Sequence, residues 1–335
     1  MIGRCALVAA AALLVPAGDA GAAAYGERLE GFAYPYQVKI FAFASQGEKV
    51  EMAYMDVAPT GPANGRTVVV LHGKNFCAAT FESAIGALAK AGYRVIAPDQ
   101  IGFCKSSKPE DYQYSFDQLA TNTHALMAEL KVARAAIVGH SMGGMLAARY
   151  ALSYPAGVER LVMVNPIGLE DWRAKGVPYA PIDQLLAAER KTDFDSVKAY
   201  QLKYYYSGDW RAPYDRWVDM SAGMYAGDGK EAVVRASART SDMIYTQPVV
   251  YEFPKITVPT TLLIGQMDRT APGANRAAPE IAKTLGDYPA LGRAAAAAIP
   301  GATLVAFDKL GHSPQVQAPA EFEAALLKAL QPPTP

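Results

Sequence analysis

Ser141 stands in Gly139-His140-Ser141-Met142-Gly143, with the apolar run Ala135 to Val138 before it and an Ala- and Leu-rich stretch after it that Pro155 stops. A serine flanked by glycines two residues away on each side fits the G-x-S-x-G pattern. There a sharp strand-to-helix turn presents the hydroxyl, and its close neighbours need hydrogen in place of a side chain. The chemistry this suits is nucleophilic attack by the Ser141 oxygen. The helix that follows turns its first free N–H groups and positive dipole end toward any negative charge that develops there. Because so short a pattern also occurs in inert turns, a base and an acid elsewhere in the chain have to support it.

A serine hydroxyl is a poor nucleophile until a base takes its proton. The chain has four histidines. His140 shares the tight turn with Ser141 and is expected to point away from it. His72 adjoins the last residue of a strand and is read as a brace for its loop, and His124 lies inside a predicted helix. His312, in the turn Leu310-Gly311-His312 that follows a strand, is assigned as general base and acid, since loops at one edge of a parallel sheet converge. Asp268, in the loop after the preceding strand, is assigned to orient the imidazole, with Glu170 and Asp171 as the alternative; the order is then Ser, Asp, His.

Attack on a carbonyl creates an oxyanion that two backbone N–H groups in a dry site would stabilise. These are assigned to Met142 and to Lys74, with Asn75 as the alternative to Lys74; Gly73 before them lets the backbone come close. The Lys74 side chain itself is read as solvated or structurally paired.

The elements that must position these groups are legible in order. Two alternating segments, Tyr36 to Phe43 and Lys49 to Val57, separated by Ser45-Gln46-Gly47, predict an antiparallel hairpin at a sheet edge. Buried strands follow at Thr67 to Leu71, Tyr93 to Ala97, 135–139, Val158 to Val164, Thr261 to Gly265 and Thr303 to Phe307. Helices are expected over Ala79 to Ala91, 116–131, 141–154 and Pro319 to Leu330. Strands alternating with helices imply a mostly parallel sheet covered on both faces. Between Gly168 and Phe253 the alternation breaks, and this stretch holds all three tryptophans and a tyrosine-dense run. It reads as a helical insertion over 168–255. Asn75, Trp172, Tyr204, Trp210 and Trp217 are taken as candidate substrate-wall residues, although packing within the insertion is the default role for its aromatics.

Length and composition bound the function. With 335 residues and 51% hydrophobic content, the chain can bury a large core. Formal net charge is zero, with 32 basic and 32 acidic residues, and the basic residues are scattered. That excludes nucleic-acid or anionic-membrane binding as the default, and a small molecule is the expected partner. The four histidines have no zinc-site spacing, so no metal is expected.

Arg4, the apolar run Cys5 to Val15 and the small residues Ala20 to Ala24 have the form of a secretory signal peptide over 1–24, too short to span a bilayer comfortably. A periplasmic or secreted mature chain is expected, without stable membrane insertion. It would keep Cys77 and Cys104, and on the residues alone a disulfide and two free buried thiols are both open. The proline-rich 332–335 is read as a disordered tail.

Taken together, His72-Gly73, Asp99-Gln100-Ile101-Gly102-Phe103, Gly139-His140-Ser141-Met142-Gly143-Gly144, Gly265-Gln266-Met267-Asp268 and Gly311-His312 resemble the α/β-hydrolase fold family over roughly residues 35–330. The resemblance implies an eight-stranded sheet, core segments 25–167 and 256–331, and a helical cap over 168–255 inserted after strand 6. It also implies hydrolysis through a Ser141 acyl-enzyme without a cofactor. The dehalogenases and epoxide hydrolases of the family carry Asp at the nucleophile position, where this chain has Ser. A carboxylic ester, lactone or thioester is the expected substrate, with amide or carbon–carbon bond hydrolysis, perhydrolysis, or a binding protein on the same fold as alternatives. Cys104 departs from the family, which often has Gly there. In that fold Cys77 and Cys104 lie in loops after neighbouring strands, which implies a disulfide at the rim of the site.

Overall fold

The computed structural model describes residues 23–331. The leader expected over 1–24, apart from its last two residues, and the tail 332–335 lie outside the described residues.

Eight strands form one sheet: β1 (Val38–Ser45), β2 (Glu48–Val57), β3 (Thr67–Leu71), β4 (Arg94–Pro98), β5 (Ala135–His140), β6 (Val158–Val164), β7 (Thr260–Gly265) and β8 (Thr303–Phe307). Their spatial order is β1-β2-β4-β3-β5-β6-β7-β8. The β1–β2 hairpin runs antiparallel and occupies one edge, with Gln46 and Gly47 at φ 55° and 83° in its two-residue turn. From β4 to β8 all pairings are parallel.

Because residues of a strand alternate between faces, each central strand feeds two cores. Val69, Leu71, Ile137, Met163 and Ile264 pack on one side, with α2 (Phe116–Glu129) and α3 (Met142–Ser153). Val68, Val70, Val138, Val162 and Leu263 pack on the other, with α1 (Glu82–Lys90) and the helix Pro319–Ala329. The helix expected from Ala79 begins as a 3₁₀ turn over Ala78–Phe81 before α1.

Between β6 and β7 the chain leaves the sheet and returns only at Thr260. This insertion holds α4 (Ile182–Glu189), α5 (Phe194–Tyr200), a π-helical turn over Gln201–Tyr205, α6 (Asp215–Ala226) and α7 (Lys230–Thr246). Among the described residues no helix is long and apolar enough to cross a membrane.

Cys77 and Cys104 form a disulfide with their Cα atoms 5.8 Å apart. It ties the loop after β3 to the loop after β4 across 27 positions of sequence. A loop of that size restricts the unfolded chain by about 3.5 kcal/mol. We therefore predict that the pair Cys77→Ala/Cys104→Ala unfolds in urea with stability lower by about that amount.

Candidate active site

The parallel register brings five strand ends to one edge. Leu71 pairs with Gly139, His140 with Val164, Val164 with Leu263 and Gly265 with Phe307. The loops that leave these ends therefore meet, although they are far apart in sequence. Ser141, the first residue after β5, is N-cap of α3 at φ 57° and ψ −121°, a strained conformation for a residue with a side chain. The turn is possible because of glycine. A Cβ on Gly143 would lie 2.2 Å from the Leu71 carbonyl oxygen, and one on Gly139 would lie 2.0 Å from the Gly143 oxygen. Backbone on both sides forbids any side chain there.

Ser141 Oγ lies 2.9 Å from His312 Nε2, and His312 Nδ1 lies 2.7 Å from Asp268 Oδ2. All three residues are buried, with Asp268 and His312 fully so. Ionised, Asp268 can only accept, so the shared proton sits on His312 Nδ1, and Nε2 is left to accept from the Ser141 hydroxyl. The carboxylate is held by two further donors: Asn165 Nδ2 reaches Oδ2 at 2.9 Å and the Thr270 amide reaches Oδ1 at 2.8 Å. Chemically, this chain of bonds can take a proton from Ser141 and bear the resulting imidazolium.

The loop after β3 lies against the nucleophile: a Cβ on Gly73 would fall 2.9 Å from Ser141 Cβ. Among the described residues, the amides of Lys74 and Met142 donate to no protein acceptor. A cavity of about 570 Å³ opens over Ser141. Its wall combines core residues such as Phe76, Phe103 and Ile167 with insertion residues such as Leu185, Tyr200 and Tyr205. This is the size and mixed character of a small-molecule site.

A family model described as the alpha/beta hydrolase fold matches residues 66–319. The chain belongs to the α/β-hydrolase fold family. The crystal structure of a probable hydrolytic enzyme from Pseudomonas aeruginosa is 59% identical, with a TM-score of 0.92 over 93% of this chain and 99% of that one. An enol-lactonase from Burkholderia xenovorans shares the fold at 21% identity and a TM-score of 0.65, over 87% and 99% of the two chains. Among curated relatives, a haloalkane dehalogenase from Mycobacterium marinum is 30% identical over 46% of this chain and 56% of its own length. A putative carbamate hydrolase from Variovorax paradoxus is 37% identical over 31% and 40%. The chain thus spans about half the length of the curated relatives it matches. Hydrolysis is the activity class that membership in the family supports.

In this α/β-hydrolase-fold chain Glu170 and Asp171, the alternative acids, are engaged elsewhere. Glu170 accepts from the Gly286 amide at 2.9 Å and pairs with Lys175 at 3.3 Å, while Asp171 accepts from the Arg173 amide and the Tyr251 hydroxyl. Asn75 lines the cavity, but Trp172, Tyr204, Trp210 and Trp217 do not. Trp172 and Trp217 are buried in the core, and Trp210 packs edge-on against Tyr206 and Tyr214. The Lys74 side chain is structurally paired, to Glu189 and Ser237.

Two contacts were not foreseen. Asn165 bridges the sheet edge by accepting from the Gly265 amide at 3.0 Å while donating to Asp268. Its only sequence signal is its place directly after β6. Tyr205 lies with its ring 4.9 Å from that of His312. It sits in the π turn, whose extra residue per turn aligns positions 200 and 205 on the cavity, where α-helical spacing would have aligned 200 with 204.

The other histidines have fixed roles. His72 Nε2 accepts from the Gln100 amide at 3.0 Å, so its proton is on Nδ1 and donates to the Gly73 carbonyl at 2.8 Å. His140 turns its Nε2–H to the backbone carbonyl of His312 at 2.8 Å, away from the Ser141 hydroxyl. His124 stacks on Tyr154 outside the site. Burial holds His72 below the ordinary imidazole range and His140 well below it, the latter helped by the neighbouring His312. Both are therefore neutral when folded, whereas the unfolded chain protonates them below about pH 6.5. The sign follows: stability is complete above about pH 6.5 and falls as the pH drops below it. We predict that urea unfolding at pH 7 and pH 5 will show lower stability at pH 5, with net proton uptake on unfolding.

Proposed function

We propose that this hydrolase cleaves a carboxylic ester, lactone or thioester of a small, partly apolar substrate through an acyl-enzyme on Ser141. The observation that carries the reading is the unbroken hydrogen-bonded chain from Ser141 through His312 to Asp268, with Ser141 on the wall of the cavity.

In this reading Ser141 Oγ attacks the carbonyl carbon as His312 Nε2 takes its proton, and Asp268 stabilises the imidazolium. The amides of Lys74 and Met142 donate to the developing oxyanion. Collapse of the tetrahedral intermediate expels the alcohol, which takes the proton back from His312. Water, deprotonated by the same nitrogen, then releases the acid and frees Ser141. Phe76, Phe103, Ile167 and Leu185 suit the apolar portion of the substrate. Dehalogenation, named in one relative, is set aside because the dehalogenases of this family carry Asp where this chain has Ser141. We further propose that the mature protein works in the periplasm or outside the cell. The Cys77–Cys104 disulfide supports this, since such bonds persist in oxidising compartments.

The test is hydrolysis of aryl esters graded in acyl length, together with a lactone and an anilide, alongside labelling by an active-site phosphonate. Turnover with the label on Ser141 is the expected result. A labelled but silent enzyme would point to carbon–carbon or more specialised ester substrates, and an unlabelled, silent chain to a binding protein.

A further inference from the structure

Lys74 and Asn75 form the stretch of the β3 loop that the proposed mechanism needs most, and the sheet does not hold them. The core secures both flanks of the pair. His72 donates to the Gly73 carbonyl, the Phe76 amide closes a turn onto the same carbonyl at 3.2 Å, and Cys77 is bonded to Cys104. Between these anchors, every hydrogen bond that residues 74 and 75 make among the described residues goes to the insertion. Lys74 Nζ donates to Glu189 of α4 at 3.1 Å and to Ser237 of α7 at 2.6 Å. Asn75 Nδ2 donates to the Tyr205 hydroxyl of the π turn at 3.0 Å, and Ser221 of α6 donates to the Asn75 carbonyl at 3.0 Å. Four separate elements of the insertion thus each send one contact to two consecutive residues.

The far end of the clasp is itself fixed. Glu189 accepts from Tyr225 at 2.8 Å through its other oxygen. Lys74 and Glu189 have side chains only 17% exposed, so water screens the pair little. Burial alone would raise the Glu189 carboxyl, but the Lys74 charge and the donated hydrogen bonds outweigh it and hold the group ionised. Removing either partner would strand the other charge on the cavity wall.

Resting on the oxyanion role proposed above for the Lys74 amide, we infer that the insertion sets the geometry of the oxyanion hole, with Glu189, Ser221, Ser237 and Tyr205 acting as positioning residues through the Lys74 and Asn75 side chains and backbone. An oxyanion donor acts only when held within a few tenths of an ångström of the charge it meets, and that charge exists only in the transition state. Loosening the clasp should therefore lower kcat while leaving KM nearly unchanged. A purely structural role would lower the unfolding midpoint instead.

The experiment uses the full-length enzyme and the best-hydrolysed ester of the panel. Glu189→Gln is expected to lower kcat about 10- to 100-fold at nearly constant KM, below the 10²- to 10³-fold cost of losing an oxyanion donor outright. Tyr205→Phe, which deletes only the oxygen that Asn75 meets, and Ser221→Ala are expected to lower kcat about 3- to 10-fold, a fraction of that loss. Lys74→Met should match Glu189→Gln, and the double variant should be no worse than either single one, because the two act as one unit. Affinity for a trifluoromethyl ketone, which forms an oxyanion on Ser141, should fall in step with kcat/KM, while affinity for the product acid stays constant. Tyr205→Phe and Ser221→Ala keep the test decisive should Glu189→Gln fold poorly. Variants that turn over within twofold of wild type, or that change KM alone, would overturn the inference while the ester-hydrolase reading stood. A wild-type enzyme that neither turns over nor takes the phosphonate at Ser141 would overturn the reading beneath it.

Discussion

Replacing Ser141 by Ala is expected to lower turnover by about 10⁶-fold, the scale on which a serine hydrolase loses its covalent step. The substitution removes the oxygen that His312 Nε2 meets at 2.9 Å, and nothing else within that hydrogen-bonded chain can form an acyl-enzyme. The fold should survive it. Ser141 makes no side-chain cap to α3, and Ala has a Cβ at the same place, so the strained backbone is neither relieved nor worsened. Equal unfolding curves for the two proteins, with hydrolysis and phosphonate labelling confined to wild type, would tie the loss to chemistry. Residual turnover within a hundredfold of wild type would mean that the observed hydrolysis does not pass through this serine.

The second large effect belongs to Asp268→Asn, for which we predict a fall in kcat of about 10⁴-fold. The neutral amide keeps the size of the carboxylate, but it presents a nitrogen donor as readily as an oxygen. His312 Nδ1 now carries a proton aimed at Asp268 Oδ2, as do Asn165 Nδ2 at 2.9 Å and the Thr270 amide at Oδ1. Three donors converge on one side chain, so an amide there has too few acceptor sites. The imidazole is driven to the other tautomer, with its proton on Nε2 facing Ser141, and can no longer act as base. Measured kcat on the panel ester, with KM unchanged, checks this. Activity within tenfold of wild type would show that the carboxylate does not orient His312.

How much of this was legible before folding depends on the distance over which each residue acts. The strands were readable from runs such as Thr67–Leu71, whose uninterrupted apolar character is what burial on both faces demands, and β6 and β8 fall on the expected residues. The convergence of Ser141, Asp268 and His312 was readable because each lies in the loop that follows a strand, so that parallel topology brings the three together. The wall of the cavity was not readable. An aromatic residue carries no mark in sequence for whether its ring faces a cleft or a core, and Trp210 found partners in Tyr206 and Tyr214. Tyr205 was obscured by a local irregularity, the π turn, which moves the face of the helix by one residue. Asn165 was obscured for the opposite reason: its partners, Gly265 and Asp268, lie 100 and 103 positions away.

The order of the strands also has a consequence for when activity can arise. His312 follows β8, the last strand of the sheet in both sequence and space, and it meets Ser141 across 171 positions of chain. Contacts of such long range form late, because the entropy of closing the loop must be overcome before they contribute. If Ser141 and His312 act as proposed, a nascent chain would have its nucleophile turn before it has the base that activates it. On the mechanism proposed above, the serine would stay chemically quiet until β8 docks. Recovery of turnover during refolding should consequently lag behind the return of helical signal, making the reaction itself a reporter of the final step of assembly.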